Sequence, residues 1–331
     1  MSRVLLPAVL LLTAVLSACG GVQSPPATLD LEGQTSLAVG APASLTAVLR
    51  GLSGDPIPAT VTYTSSQPNV ISVDGQGQLT VKRLTATSRP VELTASAAGR
   101  TATMLVTTYG LELAVGTYVW NLQAAGAAPG RFVVVRYRPE SEAEAVQAST
   151  YTVTAPGDER LTCPLSQNAV ERACWWAEAD ATKYPSGEYR ASLVQNGVTY
   201  TTTASLPDPE AALGFVGGAS ATLRGRDVTF AGELPAGAGW LYAYVAKRML
   251  QTSALPGPRM RGQGTEPAND PQSVSVYATA LPATLTVGAA VPAGAYEGWI
   301  TAMQSNLSSF DEVLPEQFNV SATFGGMVTL R

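Results

Sequence analysis

Histidine is absent from this 331-residue sequence, and only three cysteines are present. Histidine is the most common general base, the usual ligand of zinc and copper, and the side chain that titrates near neutral pH. Its absence excludes a Ser-His-Asp hydrolase and any metal centre that depends on imidazole ligands.

Charged side chains are also scarce, at 14% of residues, with 20 basic against 25 acidic side chains. This balance provides no positively charged surface for nucleic acid, whose binding depends on neutralising phosphates, so we expect no nucleic-acid partner. The hydrophobic content of 46% is normal for a globular protein and argues against disorder. The length is sufficient for two or three hydrophobic cores.

The sequence also contains no motif for catalysis or cofactor binding of the kinds that do not require histidine. Glu140, Glu142 and Glu144 lie in a polar segment that predicts a solvated turn, and the acidic residues do not follow the spacing of a calcium-binding loop. No glycine-rich phosphate loop precedes a helical segment. We therefore predict a protein with no enzymatic activity, no cofactor and no metal ion.

The N-terminus has the features of a secretory signal. Arg3 is followed by an apolar run over residues 4–16 and by the tetrapeptide Leu-Ser-Ala-Cys, which ends at Cys19. This tetrapeptide resembles the lipobox of bacterial lipoproteins, in which the cysteine is acylated and the preceding peptide is removed. The resemblance implies that residues 1–18 are a lipoprotein signal peptide and that Cys19 carries the membrane anchor. An ordinary secreted protein with a chance cysteine is the alternative.

Residues 19–27 lack any apolar period and predict a short lipidated tether. Gly20 follows the cysteine at the place where an aspartate would, in many Gram-negative lipoproteins, direct retention at the inner membrane. The resemblance therefore implies a bacterial cell-envelope protein, with the outer membrane or the cell surface favoured. The membrane is then a partner through the acyl chains.

The two remaining cysteines, Cys163 and Cys174, form an even pair in an oxidising compartment, which favours a disulfide. A bridge over so short a loop stabilises a fold by about 3 kcal/mol on the chain-entropy model. A redox or metal role is the alternative, but the spacing is not Cys-x-x-Cys and no histidine completes a site.

Short segments of alternating hydrophobicity follow the tether, separated by Gly, Pro, Asn and Asp, and no amphipathic stretch of helical length occurs. In two of these segments Leu45, Ala47 and Leu49, and then Val91 and Leu93, are expected to face inward. We predict an all-β fold of three tandem β-sandwiches of the Ig-like or fibronectin-like type.

Residues 28–109 resemble the bacterial Ig-like domain, group 2. The resemblance rests on an aromatic strand residue, a Ser-Ser turn, a Pro-x-Val segment, a Val-Asp pair and a glycine, which fall on Tyr63, Ser65, Ser66, Pro68, Val70, Val73, Asp74 and Gly77. It implies a seven-stranded sandwich of the kind that acts as a spacer or adhesive module in bacterial surface proteins. It implies no catalytic residue.

Two landmarks recur at nearly the same spacing in the rest of the chain and predict a duplicated sandwich, at residues 110–206 and 207–331. A strand near Phe132 aligns with one at Trp240. In addition, a Pro-x-Gly-x-Tyr segment occurs in each copy, and its tyrosine is expected to bond a nearby backbone group and pack inward. These tyrosines are Tyr189 and Tyr296.

Alternation along the strand near Phe132 places Arg136 and Arg138 on one face, which we expect to meet solvent or a neighbour. Through the alignment, the same face of the third sandwich carries three aromatic residues, Trp240, Tyr242 and Tyr244. The opposite face, with Leu241, Ala243 and Val245, is then expected to point inward. Exposed aromatics of this kind would form a stacking platform for sugar rings or a contact surface for a protein. The alternatives are that they lie in a core or in a domain interface.

Trp175 and Trp176 directly follow Cys174, and adjacent strand residues point to opposite faces. One indole is expected to pack over the disulfide, and the other to contact a neighbouring domain or a ligand. Residues 251–273 lack periodicity and predict either a mobile insertion or a binding loop, in which Arg259 and Arg261 provide positive charge.

These observations favour a non-enzymatic, lipid-anchored cell-envelope protein that acts as a spacer and as an interaction module in adhesion or envelope assembly. Its partner would be an envelope protein or a polysaccharide. The alternative is a carbohydrate-binding surface lipoprotein that uses exposed aromatics of the third sandwich.

Overall fold

The computed structural model describes residues 26–122, 129–141, 146–165, 173–178, 180–207, 211–247, 261–263, 273–305 and 311–331. These residues form strands, turns and irregular segments, which confirms the predicted all-β fold. Within them, no helix is long and apolar enough to cross a membrane. The predicted signal peptide and Cys19 lie outside the described residues.

The first sandwich contains eight strands and the first half of a ninth. The strands are β1 (Pro26–Glu32), β2 (Ser36–Ala38), β3 (Pro42–Ser44), β4 (Thr46–Gly51), β5 (Thr62–Ser65), β6 (Ile71–Val73), β7 (Gln78–Val81), β8 (Val91–Ala97) and β9 (Arg100–Trp120). Strand β1 pairs with β4, β7 lies between β3 and β6, and β8 lies between β5 and β9. The residues predicted to face inward are buried or, for Ala47, half-buried. Strand β1 begins two residues earlier than the predicted sandwich, inside the predicted tether.

The middle sandwich packs a three-stranded sheet against a four-stranded sheet. It consists of the second half of β9 and of β10 (Gly130–Arg138), β11 (Ser149–Thr154), β12 (Arg160–Leu165), β13 (Ala173–Glu178), β14 (Gly187–Gln195) and β15 (Val198–Leu206). The strand orders are β9–β10–β13 and β12–β11–β14–β15. Alternate residues of the two sheets, such as Val133, Val135 and Leu193, meet in a buried core.

The third sandwich has the same two-sheet arrangement. Its strands are β16 (Gly217–Arg224), β17 (Asp227–Glu233), β18 (Trp240–Lys247), β20 (Ser273–Ala278), β21 (Ala283–Thr286), β22 (Gly294–Met303) and β23 (Val320–Leu330). The orders β16–β17–β21 and β20–β18–β22–β23 reproduce those of the middle sandwich strand for strand. One further strand, β19 (Arg261–Gln263), lies between β18 and β20 in sequence but pairs with β13 of the middle sandwich.

The strand order shows that one predicted correspondence between the middle and third sandwiches is wrong. Strand β10, which contains Phe132, corresponds to β17, whereas β18, which contains Trp240, corresponds to β11. The predicted alignment of Phe132 with Trp240 is therefore wrong. Strands β10 and β18 resemble each other because both begin near a glycine and continue as long apolar runs, a pattern that follows from burial on both faces.

The Pro-x-Gly-x-Tyr segments do correspond, since they begin β14 and β22 at the same place in each sandwich. The Tyr189 hydroxyl donates a hydrogen bond to the Pro185 carbonyl oxygen at 3.0 Å, and the Tyr296 hydroxyl donates to that of Pro292 at 2.9 Å. Both tyrosines are fully buried. The predicted structural role of these tyrosines is confirmed.

A single continuous sheet joins the middle and third sandwiches, because β9 and β23 pair in parallel at Tyr118–Trp120 and Val320–Ala322. Its strand order is β19–β13–β10–β9–β23–β22–β18–β20, and we call it the central sheet. Strand β9 also runs without interruption through the predicted boundary at residues 109 and 110. The three sandwiches are therefore connected through shared strands at this point.

Candidate functional site

The central sheet carries an aromatic cluster on the face where the middle and third sandwiches meet. We call this cluster the aromatic interior. Six pairs of its rings have centroids 4.9–5.7 Å apart. It contains Tyr118, Trp120, Phe132, Trp175, Trp240, Tyr242, Tyr244, Tyr277, Trp299, Phe318 and Phe324.

The predicted exposed platform on the third sandwich is wrong. Tyr242 and Tyr244 are each only 6% exposed, and Trp240 is half-buried. The alternation along β18 was predicted correctly, because Leu241 and Val245 do face the core of the third sandwich. The opposite face of β18, which carries the aromatics, is covered by the middle sandwich. This is the domain interface that we named as an alternative to an exposed platform. These aromatics therefore do not form an open surface for stacking sugar rings.

Trp175 and Trp176 point to opposite faces of β13, as the alternation predicts. Trp176 is buried in the middle core together with Cys163 and Cys174, whereas Trp175 stacks on Phe132 with ring centroids 5.7 Å apart. Trp175 therefore packs against the aromatic interior, which contains residues of both later sandwiches, although the ring on which it stacks belongs to its own sandwich.

The predicted positive loop can be followed only at β19. Arg259 lies outside the described residues, as does most of the segment 251–273. The backbone of Arg261 belongs to β19 and is paired with that of Trp176. This pairing could not be predicted from hydrophobic periodicity, because a strand of three residues is too short to show a periodic pattern.

An ion pair between Arg136 and Glu112 lies at one end of the same face. The Arg136 guanidinium donates to Glu112 Oε2 at 2.7 Å and 3.0 Å, and the two side chains are 0% and 1% exposed. We expected the face of β10 that carries Arg136 to contact either solvent or a neighbouring part of the protein. It contacts a neighbouring part, since Arg136 also donates to the Glu312 carbonyl oxygen. An arginine is accommodated there because Glu112, from the adjacent strand, compensates its charge.

Residues 311–319 connect all three sandwiches, and we call them the junction segment. Phe318 stacks on Phe132 at 5.6 Å in the aromatic interior, and the Glu312 carbonyl oxygen accepts a hydrogen bond from Arg136. Val313 packs against the core of the first sandwich. Gly116 is required beneath this segment, since a Cβ there would collide with the Phe318 carbonyl group.

Among the described residues, four polar side chains in and beside the aromatic interior have an atom without a hydrogen-bond partner. These atoms are the Tyr118, Tyr244 and Thr301 hydroxyls and Glu297 Oε1. All four residues are at most 6% exposed. The other carboxylate oxygen, Glu297 Oε2, accepts from Trp299 Nε1 at 3.2 Å. Buried polar groups without partners are costly, so this part of the molecule is a candidate for binding a polar ligand.

Burial raises the pKa of the Tyr118 hydroxyl and that of the Tyr244 hydroxyl, so both remain neutral at physiological pH. For Tyr244, the neighbouring Tyr118, Tyr242 and Glu297 add to the rise. These polar residues were not among the predicted site residues. The one signal was Glu297 itself, an acidic residue between Tyr296 and Trp299 in a strand that is otherwise apolar.

The predicted disulfide is confirmed. Cys163 on β12 and Cys174 on β13 are bridged across the two sheets of the middle sandwich, with Cα atoms 6.5 Å apart. Both cysteines are buried in its core. Among the described residues, no group of cysteine and acidic side chains is arranged to hold a metal ion.

We expect the double variant Cys163→Ala/Cys174→Ala to lose about 3 kcal/mol of unfolding free energy, because the unfolded chain gains the entropy of an open 11-residue loop. Urea denaturation of the variant and of the oxidised protein measures the difference. Adding a reductant should destabilise the unchanged protein and leave the variant unaffected. Equal stability of the two oxidised proteins would contradict the prediction.

No protein-family model matches the sequence, and no curated protein matches it. Solved structures that resemble the chain include domains 4 and 5 of the S-layer protein SbsC, at 14% identity and a TM-score of 0.23, over 55% of this chain and 98% of that one. Domains 4–9 of SbsC match at 12% identity and a TM-score of 0.20, over 92% and 65%. The N-terminal four Ig domains of Dscam1 isoform 7.44 match at 11% identity and a TM-score of 0.21, over 89% and 77%. Scores this low carry no argument about function.

Proposed function

We propose that this chain is a non-enzymatic, lipid-anchored protein of the bacterial cell envelope, at the outer membrane or cell surface. It holds an interaction surface at a distance from the membrane. Acylation of Cys19 attaches the N-terminus, the first sandwich is the spacer, and the two later sandwiches contact an envelope protein or a polysaccharide.

The observation that carries this proposal is the continuity of the three sandwiches. Strand β9 has 21 residues, which corresponds to a length of about 70 Å at ~3.3 Å per residue. It passes from the first sandwich into the second without a linker, and the central sheet joins the second to the third. A chain built in this way is suited to holding its distal part in a fixed position.

The ion pair and the junction segment support the same function. Flexible connections between domains are the usual arrangement when domains move relative to one another. Here Arg136 is fully buried at the junction, and residues 311–319 contact every sandwich. These contacts favour a rigid arm over a hinged one.

We expect Cys19→Ser to abolish palmitate labelling and to move the protein from the membrane fraction to the soluble fraction, since acyl chains provide the anchor. The measurement is fractionation of the native cells with a labelled fatty acid. The matched control is Cys163→Ala/Cys174→Ala, which retains Cys19 and should remain in the membrane fraction. A Cys19→Ser protein that still sediments with membranes would refute the anchor. Chemical crosslinking in the same cells identifies the partner.

A further inference from the structure

Glu297 is a buried carboxylate, with a side chain that is only 2% exposed. In the part of the chain that the structure describes, its Oε1 has no hydrogen-bond partner, and the ion pairs involve other acids, including Glu112 with Arg136. A cation that reaches a buried carboxylate removes much of the free-energy cost of its burial.

Aromatic residues lie beside this carboxylate on the same face of the central sheet. Glu297 and Trp299 lie on the same face of β22, and Tyr244 is directly opposite Trp299 on the neighbouring strand. Tyr242 is 5.2 Å from Tyr244, ring centroid to ring centroid. The faces of such rings attract cations, most strongly when several rings share a desolvated site.

Two more polar groups belong to the same place. The Tyr118 and Tyr244 hydroxyls are buried and have no hydrogen-bond partner among the described residues, so each can still accept or donate a hydrogen bond. Tyr118, Tyr242 and Glu297 add to the rise that burial causes in the pKa of the Tyr244 hydroxyl, so all four residues are neighbours. A carboxylate, several ring faces and two hydroxyls are the groups that recognise a small organic cation.

The same cluster also contains half-buried rings. Trp175, Trp240, Tyr277 and Phe324 pack against the buried rings but keep part of their surface in contact with solvent. Of these, Tyr277 lies 4.9 Å from Tyr242 and Phe324 lies 5.4 Å from Trp299, ring centroid to ring centroid, so partly exposed rings are direct neighbours of the buried ones.

We propose that the aromatic interior is a binding site for a small organic cation, an alkylated ammonium, whose charge is held by Glu297 and by the ring faces of Tyr242, Tyr244 and Trp299. This inference goes beyond the proposed function and does not depend on it. A protein at the cell surface would use such a site to bind a cationic solute or a cationic group of an envelope polymer.

The test uses choline as the probe and 3,3-dimethylbutan-1-ol as its uncharged isostere, with the full chain in solution. Isothermal titration calorimetry measures binding, and tryptophan fluorescence reports on the aromatic interior, which contains four of the five tryptophans of the chain. We expect choline to bind saturably and the isostere to bind at least about tenfold more weakly, because only choline carries the charge. Choline should also raise the melting temperature, whereas the isostere should not.

Two variants locate the site. Glu297→Gln should weaken choline binding about tenfold or more, since it removes the charge and retains the shape. Glu233→Gln, on an exposed glutamate of β17, is the matched control and should bind choline as the unchanged protein does. Cys19→Ser should also leave choline binding unchanged, which separates this test from that of the anchor.

Several results would overturn the proposal. They are the absence of saturable choline binding at millimolar concentration, equal binding of choline and its isostere, and unchanged binding by Glu297→Gln. Saturable binding of a neutral sugar in place of choline would overturn it as well. If Glu297→Gln does not fold, the comparison of choline with its isostere on the unchanged protein decides the question without a variant.

Discussion

A chain that carries Arg136→Met should have an unfolding free energy about 3–5 kcal/mol lower than that of the unchanged protein. The substitution leaves Glu112 charged, 1% exposed and without its cation. Two further interactions of that carboxylate, a hydrogen bond at 3.3 Å from the Leu84 backbone amide to Oε1 and the electrostatic attraction of Arg83, are weaker than the direct ion pair and do not replace it. Urea denaturation followed by tryptophan fluorescence measures the loss.

Removing both charges should restore most of this stability. The double variant Arg136→Met/Glu112→Met replaces the pair with apolar side chains of similar length, and such replacements are often neutral or stabilising. The matched control is Arg190→Met, which breaks an exposed pair with Glu188 whose atoms are 3.6 Å apart. We expect the control to change the stability by less than about 0.5 kcal/mol. If Arg136→Met lost no more unfolding free energy than Arg190→Met, the buried ion pair would not stabilise the junction between the sandwiches.

A comparable loss, about 3–5 kcal/mol, is expected for Phe318→Ala. Phe318 is fully buried, stacks on Phe132 and belongs to the junction segment. Its removal leaves a cavity that the neighbouring strands cannot close, since Gly116 already lies against the Phe318 backbone. The loss should appear in the transition that the middle and third sandwiches share.

The matched control for this prediction is Phe215→Ala. Phe215 has the same side chain but is 43% exposed, so its truncation should change stability only slightly. Denaturation curves and near-ultraviolet circular dichroism compare the two variants. A loss for Phe318→Ala no larger than that for Phe215→Ala would show that the junction segment does not stabilise the contact between the sandwiches.

Local features could be predicted from the sequence because they depend on neighbours along the chain. Alternation identified the inward residues of single strands, including Leu241 and Val245, and cysteine counting identified the bridge between Cys163 and Cys174. The two structural tyrosines followed from the Pro-x-Gly-x-Tyr pattern.

The candidate site could not be predicted in the same way, because it depends on which surface covers a strand from outside. Alternation shows that Tyr242 and Tyr244 share a face, but it does not distinguish solvent from another sandwich. The sequence feature that best indicated an interface was the run of apolar residues in β10, because a strand that is apolar on both faces is covered on both faces. Glu297 became a candidate only after its surroundings were known.

Pairing between β9 and β23 brings together residues that are far apart in sequence, Tyr118 and Val320. Contacts of such long range form slowly. Until β23 and the junction segment are in place, Phe132 lacks its contact with Phe318, and part of the aromatic face of the middle sandwich remains available for misassociation. The pairing of β9 with β23 is therefore the folding step that protects the middle sandwich from aggregation.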